Sequence, residues 1–159
     1  MTVLDQMPAE EFASEVAPLF EGAPRFLRRL ADARPFGSAD ALFARAHRVA
    51  LEMPEEEQIE LLDAHPRIGA DSSTLSAHSR VEQSPTAEET ALHLAADLRR
   101  LNEAYERTFG FRFVVFVAGR PRAAILPLLE AALVANRDEE LRRGLHDVVA
   151  IAADRALRS

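Results

Sequence analysis

Phe109-Gly110-Phe111-Arg112-Phe113-Val114-Val115-Phe116-Val117 is the stretch on which the fold turns. Aromatic and β-branched side chains at this density favour extended backbone, so local propensity points to a strand. A strand needs a neighbour, because its N–H and C=O groups must find partners once buried. No other stretch of the chain has strand-like patterning. The segment is therefore expected to run buried and extended, its backbone groups served by partners other than a sheet, a bound ligand among them. Gly110, between two phenylalanines, permits close approach. Extended amides also suit a planar ligand that carries alternating amides of its own.

Outward from that segment everything has helical spacing. Upstream, Thr86 and Glu89 form a capping box that opens a long helix ending near Thr108. Its expected buried stripe is Leu92, Leu94, Leu98, Leu101 and Tyr105. Before it, residues 67 to about 85 are rich in Ser, Gly and Asp, a loop of the length that compact domains keep for function. Pro54 followed by Glu55, Glu56 and Glu57 starts a short helix whose dipole favours acidic groups there. Its apolar side is Ile59, Leu61 and Leu62, and Pro66 ends it near His65. Ser38 caps a helix over residues 39–52 that turns Leu42, Ala46, Val49 and Met53 inward. Residues 9–20 and 24–33 form shorter helices. Downstream, residues 122–135, with Pro127 as a kink, and residues 138–157 close the chain. With no repeat and no linker, residues 1–159 are expected to form a single compact all-α domain.

Composition narrows the partners. Of 159 residues, 48% are hydrophobic and 28% charged, a globular balance rather than a disordered one. The net charge of −7, with no basic block, argues against a nucleic-acid partner. The absence of cysteine removes disulfides, thiolate catalysis and thiolate metal sites. The first residues lack the basic and apolar regions of a signal peptide, and no apolar run reaches the roughly 18 residues of a membrane span. A cytoplasmic protein is expected.

Five histidines are present. His47, His93 and His146 fall inside expected helices, where packed or surface roles suffice. No HExxH or comparable ligand pair occurs, so no metal is expected. His65 differs: it ends a helix, precedes a proline that fixes the chain, and opens the long loop. A helix C-terminus favours protonated imidazole, which suits acid–base work near neutral pH. At the far end of the same loop, Ser79-Arg80-Val81-Glu82-Gln83 gathers a carboxylate, a hydroxyl, an amide and a guanidinium. By residue type alone, His65-Pro66 is also a plain helix stop and Glu82 an ordinary solvated loop residue.

Three ordered segments together resemble one family. His65-Pro66-Arg67-Ile68-Gly69, then Ser79-x-x-Glu82-Gln83, then Asn102-x-x-Tyr105-x-x-x-Phe109-Gly110-Phe111-x-Phe113 are similar to 2-oxo-4-hydroxy-4-carboxy-5-ureidoimidazoline (OHCU) decarboxylase. Arg34-Pro35-Phe36 and Ile151-x-x-x-Arg155 fit the same pattern. The resemblance implies an all-α enzyme that converts OHCU to (S)-allantoin and carbon dioxide with no metal or organic cofactor. It implies a homodimer and, as a neighbour in the pathway, a transthyretin-like 5-hydroxyisourate hydrolase. It assigns His65 and Glu82 to catalysis. Pro66, Ser79 and Gln83 are assigned to substrate binding, as are the Arg112, Phe113, Val114, Val115 and Phe116 stretch through its backbone, and Arg155. The chain departs from the pattern at Ser84-Pro85-Thr86-Ala87, at Arg112 where proline is common, and at Leu133-Val134-Ala135. Those departures define the alternatives: a helical lyase or hydrolase acting on another ureide, or a non-catalytic interaction protein.

Overall fold

The computed structural model describes residues 2–69 and 85–158. These form eight α-helices: α1 (Thr2–Gln6), α2 (Ala9–Val16), α3 (Pro24–Asp32), α4 (Ala39–Glu52), α5 (Glu55–Asp63), α6 (Pro85–Phe109), α7 (Arg122–Leu133) and α8 (Arg137–Arg158). No strand occurs among the described residues, and residues 112–117 are neither helix nor strand. The all-α expectation holds. The chain divides into two compact units, Met1–His65 with Leu141–Ser159, and Pro66–Glu140.

In the first unit the fully buried side chains include Phe12, Phe20, Phe26, Leu30, Leu42, Leu61 and Leu62. The helix expected over residues 9–20 stops at Val16 and tightens into a 3-10 turn, Ala17–Leu19. Pro18 lies inside that turn, and a residue without an N–H cannot continue the α ladder. Ser38 caps α4 as expected, its Oγ accepting from the Ala41 N–H at 3.1 Å. The buried row on α4 is Leu42, Ala46 and Ala50 rather than one that includes Val49, which is half-buried. Strict i+4 spacing carries the row past Val49 on its flank.

α5, which leads into His65, is held from several sides within this unit. Arg29 of α3 makes a two-pronged pair with Glu57, Nε to Oε1 at 2.6 Å and Nη2 to Oε2 at 3.0 Å. That hydrogen-bonded guanidinium holds the Glu57 carboxyl below the usual carboxylate range. Arg25 reaches Glu60 at 2.7 Å. Gln58 donates from Nε2 to the carbonyls of Ala50 and Leu51, at 2.9 and 3.2 Å, and so caps the last turn of α4. α8 approaches α5 at Gly144, where a Cβ would sit 3.1 Å from Leu62 Cδ2. The N-terminal helix is latched by Arg34, which donates to the carbonyls of Leu4, Met7 and Ala31 and lies 4.8 Å over the Phe12 ring. Asp5 in return accepts from the N–H groups of Phe36 and Gly37, both at 3.0 Å.

In the second unit α6 buries Leu98, Leu101, Asn102, Tyr105 and Phe109. Leu92 is 64% exposed and Leu94 only half-buried, contrary to the expected stripe. Leu92 stands six residues before Leu98, about 240° around the helix axis, and so points away from the buried row. α7 runs through Pro127, whose ring nitrogen leaves one i−4 carbonyl without its helical donor.

The segment that decided the fold packs around one ring. Tyr105 lies edge-on to Phe109, Phe111 and Phe113, with centroids 4.7, 5.8 and 5.1 Å away. Its hydroxyl donates to Glu140 Oε1 at 2.8 Å, both residues being buried. Arg137 crosses the Phe111 ring at 5.3 Å and donates to the Phe109 carbonyl at 2.9 Å. Among the described residues, these strand-like residues pack their rings on Tyr105, and arginines meet backbone carbonyls at both ends. At the far end Arg120 donates to the carbonyls of Phe116 and Val117, at 2.6 and 2.9 Å.

Candidate active site

His65 is 2% exposed. α5 ends at Asp63, as Pro66 dictates, and the turn that follows sends the His65 N–H to the Leu62 carbonyl at 3.1 Å. The imidazole takes over the Leu61 carbonyl, 2.9 Å from Nδ1. A carbonyl oxygen only accepts, so Nδ1 carries the hydrogen, and in the neutral ring Nε2 presents a lone pair. The side chain therefore caps its own helix and is set to take a proton at Nε2. The preference of the helix end for imidazolium is present but outweighed. Burial pushes the imidazole below its ordinary value, outweighing the Leu61 hydrogen bond and the Glu21 charge, which pull it up. Arg155 adds to the downward push.

Those two charges form a pair that sequence reasoning only half found. Arg155, on α8, donates to Glu21 Oε1 at 2.6 Å and to the carbonyls of Pro18 and Leu19 at 3.0 and 3.4 Å. Its guanidinium is engaged with the 18–21 turn and lies close enough to bias His65. Glu21 went unnoticed in the sequence. It adopts φ +57°, a left-handed conformation that a glutamate seldom takes and that often marks a functional turn. The one available signal was its place before Gly22, in the gap between two proline-marked helix starts.

Pro66 is exposed and is followed by a segment fastened to α6. In the 112–116 stretch Phe113, Val114 and Val115 are buried, while Arg112 and Phe116 are half-buried. The Arg112 side chain lies 3.8 Å from Glu106, which already receives Arg67 at 2.7 Å. The cation that replaces the expected proline is thus drawn towards α6. Ser79, Glu82 and Gln83 lie outside the described residues, as do most of the expected loop and the departure at Ser84. Among the described residues no cluster of three or more His, Asp or Glu side chains could hold a metal ion.

Helices of the first unit thus bury a histidine of fixed tautomer near an ion pair, an arrangement that can exchange a proton. Residues 5–157 match the family model described as OHCU decarboxylase, and the chain belongs to that family. It is 28% identical to a 2-oxo-4-hydroxy-4-carboxy-5-ureidoimidazoline decarboxylase of Haloferax volcanii, covering 94% of this chain and 89% of that protein. It is 30% identical to the decarboxylase of the same name from Mus musculus, over 96% of this chain and 88% of the relative. The uric acid degradation bifunctional protein PucL of Bacillus subtilis is 27% identical over 96% of this chain, which spans only 31% of that longer protein. The fold matches a solved structure of OHCU decarboxylase in the presence of (S)-allantoin, with TM-score 0.68, 21% identity, and coverage of 91% of this chain and 95% of the other.

Proposed function

We propose that this chain is a carboxy-lyase of urate degradation that converts OHCU to (S)-allantoin and carbon dioxide, with residues 1–159 acting as one catalytic domain. The observation that carries the assignment is membership of the decarboxylase family across residues 5–157. The buried, tautomerically fixed His65 supports it.

OHCU bears a carboxylate and a hydroxyl on one ring carbon, next to a carbon in a C=N bond. When the bond to the carboxylate breaks, its electron pair forms a double bond to that neighbouring carbon, and the C=N electrons move onto nitrogen. The substrate is its own electron sink. His65 takes the hydroxyl proton at Nε2 and returns it to the neighbouring carbon, which becomes the stereocentre of allantoin, while the nitrogen that received the C=N electrons takes a proton from water. Delivery from one face gives one enantiomer. Glu82 orients the hydroxyl and sets the charge of the imidazole. Ser79, Gln83 and the backbone of residues 112–116 hold the ureido and ring amides, and Pro66 packs beside them. Arg155 turns its guanidinium fork to an anionic or carbonyl edge of the substrate.

The same assignment implies a homodimer in the cytoplasm, next in sequence to a 5-hydroxyisourate hydrolase. The bifunctional relatives support a neighbouring activity, and no helix among the described residues is long and apolar enough to cross a membrane. The test is circular dichroism of freshly generated OHCU with and without the purified protein. A rapid signal ending in (S)-allantoin is expected, and racemic allantoin formed at the spontaneous rate rejects the assignment.

A further inference from the structure

The three residues after Pro66 are fastened one by one to α6. Arg67 lays its guanidinium on Glu106, Nε to Oε2 at 2.7 Å and Nη2 to Oε1 at 3.0 Å. The Ile68 carbonyl accepts from Asn102 Nδ2 at 3.0 Å. Gly69, at φ +81°, lies against Leu98 so closely that a Cβ would come within 3.1 Å of Cδ1. Leu98, Asn102 and Glu106 are spaced four apart and share one face of the helix. Residues 67, 68 and 69 meet them in reverse order, so this short segment runs antiparallel to α6.

Asn102 stands at the centre of this clamp and is 1% exposed. The second hydrogen of its Nδ2 goes to the Leu98 carbonyl at 2.8 Å, which fixes the amide orientation. Its Oδ1 is buried with no hydrogen-bond partner among the described residues. A buried acceptor left unmet works against stability, and an isosteric leucine would remove it. What only the amide provides is the grip on Ile68.

We propose that Asn102 is a positioning residue for the decarboxylation, fixing through the Ile68 carbonyl the backbone on the C-terminal side of His65-Pro66. On the N-terminal side the Leu61 and Leu62 carbonyls already hold the imidazole and the amide of His65. Holding the chain on both sides of His65 limits displacement of the reacting nitrogen, and displacements of about 1 Å at a reacting group lower rates by roughly a hundredfold. The inference rests on His65 being the catalytic group, as proposed above.

The test compares Asn102→Leu, Asn102→Asp, Gly69→Ala and His65→Asn in the full chain. It measures kcat and KM for OHCU with the spontaneous rate subtracted, the enantiomeric purity of the enzymatic product, and helicity at a temperature where every variant is folded. Asn102→Leu is expected to lower kcat by roughly 10- to 100-fold with KM within about threefold, and to erode enantiomeric purity. Asn102→Asp is expected to be equally impaired at high pH. It should recover relative to the parent chain on acidification, because a neutral carboxyl can again donate to Ile68. Gly69→Ala moves the same segment without touching Asn102, should reproduce the kcat-selective loss, and carries the test should Asn102→Leu not fold. Turnover within twofold and pure (S)-allantoin from Asn102→Leu overturns the inference, as does a loss that matches the unfolded fraction. With His65→Asn inactive, that result rejects the role of Asn102 alone. An active His65→Asn rejects the catalytic assignment, and the positioning role with it.

Discussion

His65 donates from Nδ1 to the carbonyl oxygen of Leu61, 2.9 Å away and one helical turn behind it. This bond joins the end of a helix to the tautomer of a buried base. The helix stops because of Pro66, the stop leaves a carbonyl without its usual donor, and the histidine side chain fills that role. Local sequence thus determines which ring nitrogen carries the lone pair.

Acid should weaken the fold through this residue. The folded-state imidazole titrates below its ordinary value of 6.5 because burial disfavours its charged form. Well above pH 6.5 neither state holds the proton. Below it the unfolded chain binds a proton that the folded chain resists, so stability falls until the lower folded value is passed. The parent chain should therefore lose more thermal stability between about pH 7.5 and 5.5 than His65→Asn, while His47, also depressed by burial, contributes equally to both. Parallel melting curves against pH would contradict the buried, neutral state.

Glu21→Gln should shift the pH dependence of catalysis. The substitution removes a charge that pulls the His65 value up and leaves burial and Arg155 pushing it down. The acid limb of kcat/KM should move to lower pH. Because the Glu21–Arg155 pair is about a third exposed, stability should change by less than about 1 kcal/mol. An unmoved limb would separate Glu21 from the site.

Tyr105→Phe tests the account of the Phe109–Val117 segment. The change keeps the ring contacts and removes the hydroxyl that donates to buried Glu140. A loss of about 1 to 3 kcal/mol in urea unfolding is expected, with helicity retained. A loss below about 0.5 kcal/mol would show that the bond to Glu140 contributes little.

Most of the helices, though not α1, were legible in the sequence because their signals are local. Ser38 announced the start of α4, Pro54 and the glutamates after it the start of α5, and Pro66 its end. Residues 109–117 could be denied a sheet for want of a partner, but the ring of Tyr105 that organises them is a tertiary fact. The leucines of α6 misled for the same reason: period fixes a face, whereas Leu92 is exposed because the buried row runs through Leu98, Asn102 and Tyr105. In the site, His65 was visible from its proline. Its low basicity was not, since burial, which only the folded chain creates, outweighs the helix end. Glu21 and Asn102 act through contacts with Arg155 and Ile68, which spacing along the chain does not encode.

Gly144→Val should show how closely α8 must approach the helix that leads into His65. Even a Cβ would lie 3.1 Å from Leu62 Cδ2, and a branched side chain cannot fit without moving Leu62. Overpacking of this kind destabilises by about 1 to 3 kcal/mol, and because Leu62 stands three residues before His65, turnover should fall more than stability alone explains. Wild-type stability and rate in this variant would mean that the contact yields readily.

The most direct test of the central claim is the stereochemical course of OHCU breakdown with the parent chain and with His65→Asn, followed by circular dichroism at matched concentrations of folded protein. The account predicts rapid formation of (S)-allantoin by the parent chain. For His65→Asn it predicts decay at the spontaneous rate to racemic allantoin, with an unchanged helical spectrum. Pure (S)-allantoin at the parental rate from His65→Asn would contradict it.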